Sequence, residues 1–397
     1  MYNKLSFLLL FITLACINVN LRASTRTSRK SNSEEAVNID SIQKVTVFSA
    51  GEDGIDSYRI PSLVTSKKGT LLLFTEARKE SSTDKTPTDI ALKRSVDNGK
   101  TWSEIHVLTE SGDDAYMDPV AVVDKVTGKI FLFTCLWPAD DHSTFGNTAW
   151  LVTSDDDGIT WTQPQEITSN IAAPNHYIGG FGPGAGIQIN GDRFKNRLIV
   201  PTRQRDNETS KNRTIYSDDH GATWQVGEMA PDGGEYEIAE SPKDRLVYNL
   251  RGGKGKRVVS ESLDGGVTWS KSRIDFPLQS SVDYGGCQGS VLGIDSTLFY
   301  TGPAGGLGSI NNEDRQNLFI YRSLNGGETW TNNYLLHDKS AGYSCITQLL
   351  DGRLAIVFET SDSEGFPKMT PGNRPAGWMR LDVIVLPERI MEKENWF

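Results

Sequence analysis

Short runs of apolar residues, bounded by glycine, asparagine, aspartate or proline, recur along most of the chain. The runs are rich in β-branched and aromatic side chains, as in Leu71–Phe74, Ile130–Phe133 and Leu354–Phe358. Runs of roughly four to eight such residues are typical of β-strands. No window has the period of about 3.6 residues that an amphipathic helix requires. The pattern therefore predicts an all-β protein.

An octapeptide, Ser-x-Asp-x-Gly-x-Thr-Trp, is repeated among these runs. Its aspartate and glycine are suited to a tight turn, its hydroxyl groups can bond loop amides, and its tryptophan can pack beneath, so we interpret it as a hairpin-stabilising element. The spacing indicates a unit of about 60 residues, and roughly six units of four antiparallel strands predict a six-bladed β-propeller. Copies lie at 95–102, 154–161, 217–224, 262–269 and 323–330, the last with Asn325 in place of aspartate.

The N-terminal region has a different composition from the rest of the chain. Lys4 precedes an apolar run, Leu5–Cys16, which has the length of a signal-peptide core and is too short to span a bilayer. Cleavage near Ala23 and lipid attachment at Cys16 both remain open. We predict a signal peptide at 1–23, a flexible polar linker at 24–42 and one propeller domain at 43–397, exported to the periplasm, the medium or the cell surface.

Composition and charge narrow the classes of function. With 397 residues, 37% of them hydrophobic and 23% charged, the chain is expected to be a globular protein without transmembrane segments. A net charge of −10 disfavours binding to nucleic acid, and an anionic ligand would need a local cluster of arginines. The four cysteines form no CxxC pair and the five histidines have no ligand spacing, so no metal or other cofactor is expected.

Just before the first octapeptide, the segment Tyr58–Pro61 reads Tyr-Arg-Ile-Pro. This segment and the five repeats together resemble the bacterial exo-α-sialidases (neuraminidases), over about Val45 to Val385. The resemblance implies a sialidase catalytic β-propeller, expected to be a monomer, that acts on sialylated glycoproteins, glycolipids and oligosaccharides.

The resemblance also implies a cluster of three arginines that binds the sugar carboxylate: Arg59, Arg251 at the end of the segment Arg-Leu-Val-Tyr-Asn-Leu-Arg, and Arg315. Arg322 is an alternative to Arg315. Arginine suits this task because its planar fork pairs with a carboxylate through two hydrogen bonds and stays charged.

Glycosidic cleavage needs a proton donor for the leaving oxygen. By resemblance, the acid/base residue is Asp84, with Asp89 as the alternative. Arg78 is expected to contact the sugar at its 4-position with Asp118 nearby, because Met117-Asp118-Pro119 matches a substrate-binding segment of the family.

A carboxylate nucleophile would be repelled by the sugar carboxylate, whereas a neutral phenol that gives its proton to a neighbouring carboxylate would not. Ser-Ala-Gly-Tyr-Ser at 340–344 resembles the nucleophile segment of the family, which implies Tyr343. The implied partner is Glu235, with Glu237 and Glu240 as alternatives. Glu359 matches the glutamate that holds the first arginine in place.

Other residues match sugar contacts of the family. Gln288 or Tyr284 is expected near the glycerol side chain or the aglycone, and Trp137 and Trp150 near the N-acetyl methyl group. Cys287 is expected to be buried rather than reactive.

The function implied by the resemblance is hydrolysis of terminal sialic acid with retention of configuration, through a covalent sialyl-tyrosine intermediate. Three alternatives stay open: a trans-sialidase, a sialidase that forms an anhydro sugar, and a non-catalytic sialoglycan-binding propeller.

Overall fold

The computed structural model describes residues 42, 44–84, 86–140, 146–206, 209–253, 255–275, 277–282, 285–305, 315–361 and 380–387, without the side chains of 331–333. These residues belong to one compact unit, Ile39–Phe397. The predicted signal peptide, Cys16 and nearly all of the predicted linker lie outside the described residues, so the domain boundaries stay predictions. Within the described ranges, no helix is long and apolar enough to cross a membrane.

Almost all regular structure in the described residues is β-strand, which confirms the all-β prediction. Within the described ranges, the helical elements with defined bounds are α1 (Thr168–Ile171) and a 3-10 turn (Glu52–Gly54). The strands of the N-terminal half are β1 (Lys44–Ser49), β2 (Ser57–Thr65), β3 (Leu71–Arg78), β4 (Thr88–Ser95), β5 (His106–Val107), β6 (Ala115–Val123), β7 (Ile130–Trp137), β8 (Thr148–Ser154), β9 (Gln165–Glu166), β10 (Tyr177–Phe181), β11 (Gly184–Ala185) and β12 (Ile187–Gln188). The remaining strands are β13 (Leu198–Arg205), β14 (Ser210–Ser217), β15 (Gln225–Val226), β16 (Tyr236–Glu240), β17 (Leu246–Arg251), β18 (Arg257–Ser262), β19 (Arg273–Asp275), β20 (Ser290–Ile294), β21 (Thr297–Pro303), β22 (Gln316–Ser323), β23 (Thr331–Gln348), β24 (Leu354–Thr360) and β25 (Arg380–Val385).

Antiparallel pairing between strands that follow each other in the chain dominates the sheets. Strands β2 to β5, β6 to β9 and β16 to β19 each form a run of four. The long strand β23 pairs with β22 through its first part and with β24 through its second part. Strand β1 pairs with β25, so the two ends of the described chain meet in one sheet. The number of blades stays a prediction.

The repeated octapeptide forms the expected turn. In the first copy, Asp97 accepts hydrogen bonds from the Ser95 hydroxyl at 2.8 Å, the Thr101 amide at 2.9 Å and the Thr101 hydroxyl at 2.6 Å. These bonds outweigh a small opposing effect of burial and lower the pKa of Asp97 to about 2. All five copies lie between the end of one strand and the start of the next, which confirms their structural role.

Tryptophans of the octapeptides join neighbouring strand runs. The Trp161 ring lies edge-on to Phe74 of β3, with the ring centroids 5.5 Å apart. The Trp224 ring lies in the same way against Phe131 and Phe133 of β7, at 5.8 and 4.9 Å. Edge-to-face contacts of this kind stabilise packing beyond the area that they bury. The repeats therefore supply both the turns and part of the core.

Candidate active site

A pocket collects charged side chains from strands that are far apart in the chain. Arg59 lies on β2, Arg203 on β13 and Tyr343 on β23. Five of the side chains around the pocket are guanidinium groups and four are carboxyl groups, so positive groups outnumber negative ones in the lining. The residues lining the pocket are Arg59, Ile60, Glu76, Arg78, Asp84, Met117, Asp118, Trp137, Arg203, Glu235, Arg251, Arg315 and Tyr343.

Tyr343 and Glu235 form a direct hydrogen-bonded pair. The Tyr343 hydroxyl donates to Glu235 Oε1 at 2.6 Å. Burial is the main cause that holds the pKa of Tyr343 well above its ordinary value, and the Glu235 charge adds to it. Burial alone would raise the pKa of Glu235, but the charges of Arg251 and Arg203 outweigh it and lower that pKa. The pair is therefore a neutral phenol beside a carboxylate.

Three arginines converge on Tyr343. Arg251 Nη1 donates to the phenol oxygen and to Glu235 Oε2, each at 2.8 Å. The guanidinium carbons of Arg59 and Arg315 lie 5.8 and 5.5 Å from the centre of the Tyr343 ring. Three guanidinium groups around one phenol form a site in which an anion can be bound next to that phenol.

Buried Glu359 ties the first of these arginines to the backbone of Tyr343. One carboxylate oxygen accepts from Arg59 Nε at 3.2 Å and from the Ile60 amide at 2.9 Å. The other accepts from Arg59 Nη2 at 3.4 Å and from the Tyr343 amide at 3.1 Å. Ile60 has φ 55, a conformation that is strained for a β-branched residue. The bond from its amide to Glu359 helps to hold that conformation.

Asp84 lies at the mouth of the pocket. Its carboxylate accepts from Arg78 Nη1 at 2.9 Å and lies 3.8 Å from Arg59 Nη1. The side chain is 57% exposed, so an incoming group can reach it from solvent. The alternative, Asp89, does not line the pocket; it accepts from the Ser111 amide at 2.7 Å and pairs with Lys79 at 2.8 Å. The geometry thus favours Asp84 over Asp89.

A second set of charged groups also lines the pocket. Glu76 accepts from Arg78 Nε at 2.9 Å and from the Asp118 amide at 2.9 Å. Arg203 donates to Asp118 Oδ2 and, through Nε, to the Phe181 carbonyl at 3.2 Å. Burial raises the pKa of Asp118 to about 7, although the charge of Arg203 opposes the shift. The pocket therefore contains a second ion pair besides that of Arg251 with Glu235.

The sequence of this chain is similar to those of known sialidases. The family model described as BNR repeat-like domain matches residues 69–356. Mouse sialidase-2 is 30% identical over 317 residues, which cover 70% of this chain and 80% of that protein. The chain belongs to the sialidase family. A sialidase of Bacteroides fragilis is 32% identical over 350 residues, 80% of this chain, and this chain spans 62% of its length; for a Paraclostridium sordellii sialidase the identity is 28% and the span 88%.

Solved structures of sialidases share the fold. A Hadza microbial sialidase superimposes with a TM-score of 0.73 at 24% identity, covering 88% of this chain and 69% of that chain. The intramolecular trans-sialidase of Ruminococcus gnavus superimposes with a TM-score of 0.70 at 20% identity, covering 86% of this chain and 96% of that chain.

Most of the residues that the sialidase resemblance implied do line the pocket; their roles in binding and catalysis stay predictions. Glu359 lies directly beneath the pocket. Arg322 does not line the pocket and is paired in register with Phe299 within the sheet. The implied residues that line the pocket are Arg59, Arg78, Asp84, Met117, Asp118, Trp137, Glu235, Arg251, Arg315 and Tyr343.

Gln288 lies behind the pocket, contrary to the expected sugar contact. It is 1% exposed, its side-chain oxygen accepts from the Ser344 amide at 3.0 Å, and its nitrogen donates to Glu237 at 3.4 Å. Ser344 follows Tyr343, so Gln288 holds the strand that carries the phenol. The alternative residue for that contact, Tyr284, lies outside the described residues.

The two alternatives to Glu235 accept hydrogen bonds from other parts of the structure. Glu237 accepts from the Ser290 hydroxyl at 2.7 Å and the Val291 amide at 2.9 Å. Glu240 accepts from the amides of Asn190 and Gly191 at 2.7 and 2.9 Å. Neither lines the pocket.

Trp150 is also displaced from its expected position. Its ring packs edge-on to Tyr116 at 5.8 Å, and its indole nitrogen donates to the Thr148 hydroxyl at 2.8 Å. It is partly buried and packs against a core cluster, whereas Trp137 lines the pocket.

Sequence reasoning missed two charged residues of the site, Glu76 and Arg203. Glu76 lies next to Ala77 and Arg78 in a strand that is otherwise mostly apolar, and a buried acidic residue two positions before an arginine could have drawn attention to it. Arg203 belongs to no motif, and its partner Asp118 is 85 residues away. Among the described residues, no group of three or more His, Cys, Asp or Glu is arranged to hold a metal ion.

Proposed function

We propose that the protein is a retaining exo-α-sialidase with Tyr343 as the nucleophile. The observation that carries the proposal is the 2.6 Å hydrogen bond from the Tyr343 hydroxyl to Glu235, beside Arg251. A phenol paired with a carboxylate inside an arginine cluster is unnecessary for binding a glycan alone. It suits attack on an anomeric carbon that bears a carboxylate.

Substrate binding begins with the sugar carboxylate. Arg59, Arg251 and Arg315 pair with it and bring the anomeric carbon next to the phenol oxygen. The Arg59 fork is oriented in advance by Glu359, and Arg315 Nη2 is anchored on the Gly286 carbonyl at 3.1 Å. Little ordering of these side chains remains to be done when the substrate binds.

Two displacements complete the reaction. In the first, the Tyr343 oxygen bonds to the anomeric carbon while its proton moves to Glu235 Oε1 and the bond to the leaving glycan breaks. Asp84 supplies the proton for the leaving oxygen; its position at the mouth of the pocket suits contact with the aglycone. In the second, water deprotonated by Asp84 attacks the anomeric carbon, the tyrosine oxygen leaves and recovers its proton from Glu235, and the sugar is released with retained configuration.

We also propose that the strand runs form a six-bladed propeller. The proposal is supported by the four-stranded antiparallel runs, by the pairing of β1 with β25 and by the likeness to solved sialidase structures. The pocket residues come from β2, β3, β6, β7, β13, β17 and β23, or from chain that follows β3 or directly precedes β16 or β22. Strands from successive blades would meet in this way at one end of a propeller axis.

The test is hydrolysis of 4-methylumbelliferyl α-sialosides, with proton NMR of the sugar that forms first. The wild type should release the α-anomer, and Tyr343→Phe should lower kcat by about 10³-fold or more because the nucleophile is lost. The matched control is Tyr248→Phe, since Tyr248 is also buried and does not line the pocket. Initial release of the β-anomer would contradict retention, and full activity in Tyr343→Phe would contradict the nucleophile. Transfer to an added sugar, or a 2,7-anhydro product, would instead assign one of the trans-sialidase alternatives.

A further inference from the structure

The pocket carries further charged groups besides the three arginines that converge on Tyr343. Asp84 accepts from Arg78 and Arg78 donates to Glu76, the Glu76 carboxylate accepts from the backbone amide of Asp118, and the Asp118 carboxylate accepts from Arg203. None of the three arginines that converge on Tyr343 takes part in the last of these links. Arg203 and Asp118 therefore form a separate ion pair within the same pocket.

The structure makes room for this ion pair. Gly180 lies directly opposite Arg203 in the pairing of β10 with β13, and it has φ 139. A Cβ atom at Gly180 would lie closer than 3.0 Å to both the Arg203 guanidinium and the Asp118 carboxylate. A glycine at this position is thus required for the pair to form.

The Arg203 guanidinium is held in place before any ligand binds. Nε donates to the Phe181 carbonyl at 3.2 Å and Nη2 donates to Asp118. The side chain is 20% exposed and lines the pocket. A guanidinium group fixed in this way can donate to a ligand with little further loss of side-chain entropy.

The place of the pair relative to the substrate follows from the proposed function, on which this inference rests. With the sugar carboxylate on Arg59, Arg251 and Arg315 and the 4-position at Arg78, the next ring carbon, C5, would lie beside the next charged groups of the pocket, Asp118 and Arg203. We propose that they form a polar subsite that selects a sugar acid with a hydroxyl group at C5 over one with an N-acetyl group.

The chemistry of the two substituents differs at such a subsite. A hydroxyl group is small, and it can accept from Arg203 and donate to Asp118 while the ion pair stays closed. An acetamido group is larger, and its methyl group would lie against a buried ion pair or force the pair apart. Covering charged groups with a methyl group removes water from them without supplying a partner.

The experiment compares two 4-methylumbelliferyl α-glycosides, one with a C5 hydroxyl group and one with a C5 N-acetyl group. For the wild type, kcat/KM should be at least about tenfold higher for the hydroxyl sugar. In Arg203→Met this ratio should fall by about tenfold or more. Arg205→Met is the matched control, because Arg205 is two residues further along the same strand and does not line the pocket; its ratio should equal that of the wild type. A wild type that prefers the N-acetyl sugar, or an unchanged ratio in Arg203→Met, would overturn the inference.

Binding separates this inference from the proposed function. If neither glycoside is cleaved, the proposed function fails, and calorimetry with the 2,3-dehydro derivatives of the two sugar acids still decides the role of Arg203. Tighter binding of the hydroxyl derivative supports the subsite, whereas equal or weaker binding refutes it. Should circular dichroism show that Arg203→Met does not fold, Gly180→Ala replaces it, since the added methyl group displaces the guanidinium and should reduce the same ratio.

Discussion

The buried carboxyl group of Glu237 provides a quantitative test of how the fold beneath the pocket responds to pH. Glu237 is 2% exposed. Burial raises its pKa to about 8, although hydrogen bonds from the Ser290 hydroxyl and the Val291 amide oppose the shift. An acid with a raised pKa in the folded state binds its proton more tightly there than in the unfolded chain. Its contribution to stability is therefore fully present below the unfolded pKa and is lost as the pH rises through about 8.

The magnitude follows from the two pKa values. With a pKa of 4.5 in the unfolded chain and about 8 in the fold, the contribution of Glu237 to the free energy of unfolding should fall by about 4 kcal/mol between pH 5 and pH 9. Glu237→Gln keeps the shape of the side chain and cannot ionise. The variant should therefore lack this part of the pH dependence.

Urea unfolding followed by tryptophan fluorescence at pH 5 and pH 9 measures the difference. The wild type should lose more stability than Glu237→Gln over this range by an amount of that order. Glu261→Gln is the control, because its hydrogen bonds with Arg245 lower the pKa of Glu261 and its contribution should be constant above pH 5. Parallel pH dependence in the wild type and Glu237→Gln would refute the reasoning.

Two further variants test the supports of the site and of the fold. Glu359→Gln should lower the free energy of unfolding by about 3 kcal/mol and raise KM by about tenfold, because buried Arg59 loses the carboxylate that orients its fork; an unchanged KM in steady-state kinetics would contradict the positioning role. Asp97→Ala should cost about 1–2 kcal/mol through the lost turn bonds. The cost should be similar at pH 5 and pH 8, since the pKa of Asp97 is about 2, and urea unfolding with no loss at either pH would contradict it.

The parts of the fold that the sequence reveals are those with a local chemical cause. A turn made by Asp97 and its neighbours is complete within eight residues, so its repetition is visible in the sequence. The family segments that contain Arg59, Arg251 and Tyr343 can likewise be identified from a few consecutive residues. The residues that those segments imply were therefore found together in the pocket.

Residues whose role depends on strand orientation were harder to predict. Trp137 and Trp150 lie on adjacent strands, yet Trp137 lines the pocket and Trp150 packs against a core cluster. Side chains alternate between the two faces of a strand, and the sequence does not state which face meets the pocket. Gln288 was misplaced for a related reason, since its motif identified the segment but not the direction of the side chain.

Arg203 could not be predicted from the sequence for a different reason. Its ion pair with Asp118 depends on a gap at Gly180 in a neighbouring strand. The three residues come from separate parts of the chain, and no sequence motif contains more than one of them. Only the register between β10 and β13 brings Gly180 and Arg203 together.

The central claim is that the Tyr343 oxygen forms a covalent bond with the sugar. Its most direct test is peptide mapping by mass spectrometry after inactivation with a 2,3-difluoro sialic acid, which slows release of the glycosyl-enzyme. The account predicts an adduct on the peptide that contains Tyr343, with fragment ions that assign it to the phenol. An adduct on Glu235 or Asp84 would contradict the account. So would turnover of the difluoro sugar with no loss of activity and no adduct on any peptide.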